Sequence, residues 1–165
     1  MNEIEKRLHE ILRDVDVRGY LRSRESNKLE YKENFNFRNL GSYLRTIAAF
    51  ANNQGGTILY GVKDSPHIPI GINRDKFDGI RIERISTFLS DYFSPQISWS
   101  IGLVKVNGRY FGYLNIDKCR DKPIICKKNS GKELKNGEIY YRYRGHVDGR
   151  DKLGQKWSFK NGPPG

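Results

Sequence analysis

Apolar residues recur at helical spacing in three stretches of the chain. Ile4, Leu8, Ile11, Leu12 and Val15, with charged residues between them, predict an amphipathic helix over 3–15. Leu40, Tyr43, Leu44, Ile47, Ala48, Phe50 and Ala51 form a wider stripe over 40–53, and Gly55-Gly56 supplies left-handed-capable residues where that helix must stop. Ile82, Ile85, Phe88, Leu89, Tyr92 and Phe93 predict a third helix, closed by Ser94-Pro95. Elsewhere the period is two. Lys28-Leu29-Glu30-Tyr31-Lys32 alternates charged and apolar side chains as a half-buried strand does. Thr57 to Val62 is mostly apolar, which suits a strand buried on both faces, and Asp64-Ser65-Pro66 reads as the turn that ends it. Ile97 to Val106 and Arg109 to Ile116 flank Asn107-Gly108, the pair best suited to a type I′ turn, and so predict a long hairpin. Pro123 to Lys128 and Glu138 to Arg144 predict two more strands. The fold class is α+β, a single lobe in which a mixed sheet packs with about three helices.

Length and composition narrow the organisation. The 165 residues, 36% of them hydrophobic, suffice for one compact unit, divided here into an N-terminal helix at 1–17, a main domain at 18–146 and a basic tail at 147–165. No apolar run is long enough to span a membrane, and the first residues lack the apolar core of a signal peptide, so the expectation is a cytoplasmic protein without a membrane partner. Cys119 and Cys126 are too few for a disulfide framework and badly spaced for zinc, and both read as reduced thiols.

Charge changes the picture most. Thirty Lys and Arg against 19 Asp and Glu leave a net charge of +11, which favours a polyanionic partner, nucleic acid first. Residues 117–160 hold 13 Lys and Arg against 6 acids, a surplus of 7. Candidate backbone contacts there are Lys127, Lys128, Lys132 and Lys135, together with Arg142 and Arg144. In Tyr140-Tyr141-Arg142-Tyr143-Arg144, alternation puts both arginines on one face with Tyr140, and core packing competes with base stacking as the role of the tyrosines. GxxxxGK[ST] is absent and Gly55-Gly56 follows a helix instead of preceding one, which argues against ATP hydrolysis at a P-loop.

Alternation also sets Glu30 and Lys32 on one face of their strand, with Leu29 and Tyr31 directed to the core. A carboxylate beside an ammonium suits phosphodiester cleavage, the acid holding a divalent metal and the lysine offsetting charge on the phosphate. Taken alone, Glu-x-Lys is also an ordinary solvated strand face. Glu25 lies five residues before Glu30 across a bend, and Asp64 ends the next strand. Three gathered carboxylates would call for Mg²⁺ or Mn²⁺, whereas the plainer reading gives Glu25 a cap or a salt bridge and Asp64 a turn cap. His67, three residues past Asp64, is a weaker candidate proton donor.

The segments Glu25-Ser-Asn-Lys-Leu-Glu30-Tyr-Lys32, Ile47-Ala-Ala-Phe-Ala-Asn-Asn-Gln-Gly-Gly56-Thr-Ile-Leu-Tyr-Gly-Val-Lys-Asp64, Ile70-Gly71-Ile72 and Gly137-Glu-Ile-Tyr-Tyr-Arg-Tyr-Arg-Gly145 together resemble the Schlafen AlbA-2 domain family over about residues 18–146. The resemblance implies two alternatives. One is a three-carboxylate endoribonuclease acting on tRNA and rRNA, with Glu25, Glu30 and Asp64 as catalytic metal ligands, Lys32 beside them, and Tyr31 in place of the more usual Phe. The other is a non-catalytic DNA- or RNA-binding regulator. Schlafen cores join two related lobes and this chain is long enough for one, so a comparable groove implies a homodimer, with RNA of the tRNA kind favoured over DNA; the plainer alternative is a monomeric fragment of a longer regulator.

Overall fold

The computed structural model describes residues 1–143 and 146–150. In chain order the elements are α1 (Glu3–Arg13), β1 (Leu29–Lys32), a 3-10 turn (Phe37–Asn39), α2 (Leu40–Asn52), β2 (Gly56–Tyr60), β3 (Val62–Lys63), β4 (Ile68–Pro69), α3 (Arg74–Asp78), α4 (Ile82–Tyr92), β5 (Phe93–Ser94), β6 (Trp99–Val106), β7 (Arg109–Ile116), β8 (Ile125–Cys126), β9 (Ile139–Tyr143) and β10 (His146–Arg150). The central sheet runs β1-β2-β7-β6. β1 and β2 are parallel, so the chain must cross over between them, and it does so through α2. β6 and β7 form the expected hairpin, with Asn107 and Gly108 both at positive φ, as a type I′ turn requires.

Strand alternation divides the core into two halves on opposite sides of this sheet. Ile58, Tyr60, Leu114 and Ile116 face the buried stripe of α2, in a cluster with Leu44, Ile47, Ala48 and Ala51. Leu29, Tyr31, Leu59, Val104, Phe111 and Tyr113 face the other way, onto Leu8 and Leu12 of α1. The amphipathic pattern of α1 therefore covers one face of the sheet. Asn2 begins that helix with a reciprocal capping box to Glu5.

The end of α2 is fixed by side-chain amides. Asn52 is buried; its Nδ2 donates to the carbonyls of Ile124 (3.1 Å) and Tyr140 (2.9 Å), and its Oδ1 accepts from the Ile124 amide (2.6 Å). Asn53 does the same for β9, donating to the Arg142 carbonyl (2.8 Å) and accepting from the Arg142 amide (3.3 Å). The helix can stop there because Gly55 takes φ +77°, where a Cβ would also come within 2.7 Å of the Ile116 carbonyl oxygen.

Several expectations are revised. β2 ends at Tyr60 because Gly61, at φ +107°, turns the chain. The strand expected over 123–128 is reduced to two residues, and the short helix α3 carried too few apolar positions to register as periodic. β10 pairs with β9, so the fold continues to residue 150 and the proposed start of a tail at 147 falls inside a strand. Residues 151–165 lie outside the described residues. Among the described residues no helix is long and apolar enough to cross a membrane.

Replacing Asn52 with Ala leaves three backbone groups without their partner in the core and should cost about 3 kcal/mol in urea-induced unfolding. Glu138, buried where β9 begins, has its carboxyl pushed above the usual range by loss of solvation, with a Tyr140 hydrogen bond and the charges of Arg45 and Lys135 opposing. The folded chain thus holds this proton more tightly than the unfolded chain. Its contribution to stability is fully present below the ordinary value of 4.5 and is lost as pH rises through the raised one. Glu138→Gln should therefore melt above the wild type at neutral pH, the gap closing on acidification; a pH-independent gap would contradict this.

Candidate nucleic-acid interface

β1 carries the alternation expected of it. Leu29 and Tyr31 are buried, while Glu30 and Lys32 share the opposite face. On that face Glu30 is not free. Its Oε1 lies 2.8 Å from Lys32 Nζ and its Oε2 lies 2.7 Å from Arg142 Nη1. The Arg142 side chain is 1% exposed and that of Glu30 is 12% exposed, so the pair is sheltered from water and from salt. Arg142 also donates from Nη2 to the Ser26 carbonyl (2.9 Å) and stacks its guanidinium 4.5 Å from the Phe50 ring centre. The arginine is thus a buried clamp between β9 and the start of β1.

This placement corrects the assignment of Arg142 to nucleic-acid contact. Alternation correctly puts Tyr140 and Arg142 on the same face, but that face is the inner one and both residues are buried. A sequence pattern gives the period of a strand and not which side is wet. Arg144 lies outside the described residues. Lys127, Lys128 and Lys132 are exposed and Lys135 is half-buried around the loop between β8 and β9.

The three acids do not converge. Glu25 turns back on its own bend, its Oε1 accepting from the Tyr31 amide at 2.9 Å. Asp64 has a side chain 84% exposed, with Oδ1 3.4 Å from His67 Nε2. Among the described residues no group of three His, Cys, Asp or Glu side chains is placed to hold a metal ion. With both Glu30 oxygens already taken by cations, the arrangement does not fit a shared Mg²⁺ or Mn²⁺. Lys32 is in turn a fixed cation. Burial works against its charge, but the Glu30 hydrogen bond and the Glu30, Glu25 and Tyr43 charges outweigh burial and raise its pKa. It can screen a phosphate but makes a poor proton acceptor at neutral pH.

Glu25 lines an open cleft of about 780 Å³ between residues 16–25 and the 65–67 loop. Arg18, Arg22 and Arg24 line the same cleft. The segment is pre-folded: Asp16 Oδ1 accepts from the amides of Arg18 (2.8 Å) and Tyr20 (3.0 Å), and the Leu21 amide donates to the His67 carbonyl (2.9 Å). The Tyr20 amide is the main reason, ahead of Arg18, that the Asp16 carboxyl is held below its usual range. This arginine-rich stretch carries no hydrophobic period that would mark it as an element. Three arginines within seven residues, directly before Glu25, was the available signal.

A family model for Schlafen, AlbA_2 matches residues 25–149. A protein of Ureaplasma parvum serovar 3, named an uncharacterized ATP-binding protein, is 36% identical over 158 residues, covering 87% of this chain and 44% of its own. The chain thus spans less than half the length of that relative. A Corynebacterium diphtheriae protein of solved structure superposes with a TM-score of 0.58 at 13% identity, over 86% of this chain and 28% of that one. The N-terminal domain of a helicase RecG-related protein from Nitrosomonas europaea superposes with a TM-score of 0.51 at 23% identity, over 83% of this chain and 90% of that domain. Both likenesses are of fold.

Arg142→Met should destabilise the fold by about 3–5 kcal/mol, because it leaves Glu30 sheltered with only Lys32. Glu30→Met combined with Arg142→Met should recover part of that loss. Equal unfolding midpoints for the single and double variants would show that the two side chains are not coupled.

Proposed function

The chain belongs to the Schlafen AlbA_2 family, and we propose that it is a nucleic-acid-binding module of a longer regulatory protein. The observation that carries this reading is the neutralised carboxylate. Glu30, which a cation-dependent hydrolase would need free, is held by Lys32 and Arg142, while the chain as a whole carries a charge of +11. A surface that grips a polyanion gains from such pairing, because an unscreened acid would repel phosphate. The name of the Ureaplasma relative attaches ATP binding to that protein; in this chain the GxxxxGK[ST] loop is absent. The length of that relative agrees with a module that works beside other domains.

The second reading is the metal-dependent endoribonuclease acting on tRNA-like RNA with Mg²⁺ or Mn²⁺. What favours it is the presence of Glu25, Glu30 and Asp64 at the family's spacing, with Glu25 and the 65–67 loop on one cleft. It requires Glu30 to leave Arg142 and Lys32. Pairing of two chains into a homodimer would double either kind of surface.

Fluorescence anisotropy with labelled tRNA and with DNA of matched length tests the two readings together. The binding module should lose roughly tenfold or more in affinity between about 50 and 200 mM salt, and should keep its affinity in EDTA and in Glu25→Gln/Asp64→Asn. Incubation of the same tRNA with Mn²⁺ should leave it intact. Cleavage by the wild type that Asp64→Asn abolishes would replace the first reading with the second, and light scattering on the same samples gives the oligomeric state.

A further inference from the structure

Along the outer face of α4 runs a row of cations and rings that belongs neither to the Glu30 ion pairs nor to the cleft. Arg84, Phe88 and Tyr92 are spaced i, i+4, i+8, so they rise along one side of the helix about one turn apart. The Arg84 guanidinium lies 4.2 Å from the centre of the Phe37 ring and 5.8 Å from that of Phe88. Phe88 and Tyr92 are stacked, 6.2 Å between centres and 19° between planes. Lys128 Nζ then sits 4.6 Å over the Tyr92 ring. The row therefore reads Phe37, Arg84, Phe88, Tyr92, Lys128.

Its electrostatics are unusual for a packed surface. Arg84 and Lys128 are exposed, and among the described residues neither forms an ion pair with a carboxylate. The rings are half-buried, anchored on one side by the core beneath them. The loop bearing Lys128 is tied to the helix by the Lys127 amide, which donates to the Tyr92 carbonyl at 2.6 Å. The row is thus held in place before any partner arrives. Asp91, exposed, lies about one turn from Phe88 and two turns from Arg84 on this side of α4, and Glu83 lies on a flank.

We propose that this row is a binding platform for a single-stranded segment of nucleic acid. The inference rests on the polyanion-binding reading given above and says where on the molecule the strand lies. Exposed cations set over half-exposed rings match what an unpaired strand presents, its phosphates and the flat faces of its bases. A duplex buries its base faces and could use only the charges. The platform also runs into the Lys127–Lys132 loop, which extends the positive strip beyond Lys128.

Fluorescence anisotropy with labelled single-stranded RNA, single-stranded DNA and a duplex of equal length, on the full chain, tests this. Arg84→Glu combined with Lys128→Glu should weaken single-strand binding at least tenfold. Phe88→Leu, which keeps an apolar anchor in the core, should weaken single strands roughly fivefold or more and leave the duplex unchanged. Asp91→Asn should tighten single strands. Arg22→Glu/Arg24→Glu in the cleft serves as a charge-matched control, and thermal melts confirm that each variant is folded. If the wild type binds but the α4 variants lose no more than the cleft control, the platform is wrong and the binding module stands. If the wild type binds no nucleic acid in any form, both are wrong.

Discussion

One buried guanidinium holds the parts of this fold in register. Arg142, on a strand near the end of the described chain, reaches across to Glu30 and to the backbone of Ser26, with its flat face on Phe50 of α2. These contacts tie β1, α2 and β9 to one point. Burying such a charge is costly unless every donor is used, and here the bonds to a carboxylate and to a carbonyl, with the ring stack, offset that cost. Asn52 and Asn53 secure the same neighbourhood through backbone amides and carbonyls alone. The segment that carries the family's acidic motif is therefore first a structural joint.

That role explains how the chain's chemistry and its charge divide. The acid most central to the motif is spent on internal pairing, Glu25 on the amide of its own bend, and Asp16 on the turn that shapes the arginine-lined cleft. Acids bonded inward in this way oppose the charge of the exposed basic groups less than free acids would. Net charge becomes informative only once it is known which charges face each other.

Much of the scaffold was legible because hydrophobic period is a local property. The stripe over Leu40–Asn52, the doubly buried strand before Gly61 and the Asn107-Gly108 hairpin each follow from residues within a few positions of one another. The alternation of Glu30 and Lys32 against Leu29 and Tyr31 was legible for the same reason. What local pattern does not hold is the partner 112 positions away that turned Glu30 inward, or the side of β9 that meets α2. Reading Arg142 as a solvent-facing contact went wrong on that point. The gathering of Glu25, Glu30 and Asp64 likewise depended on where side chains point after a bend, and spacing does not determine it. The arginines of the cleft lie where no hydrophobic period marks an element, and the rings of α4 fall within a stripe that reads as core.

The parallel pairing of β1 with β2, locked by a side chain from β9, also bears on how the chain is made. A growing polypeptide emerges from its amino end, so the first parallel pair and its crossover helix leave the ribosome long before the arginine that completes them. Until then the Glu30 carboxylate has only Lys32 as a near cation, and β1 is held by β2 alone, without the arginine that ties it to β9. For this lobe, the interval between translating the two halves of the clamp is when a chaperone or a neighbouring nascent chain would find it most receptive.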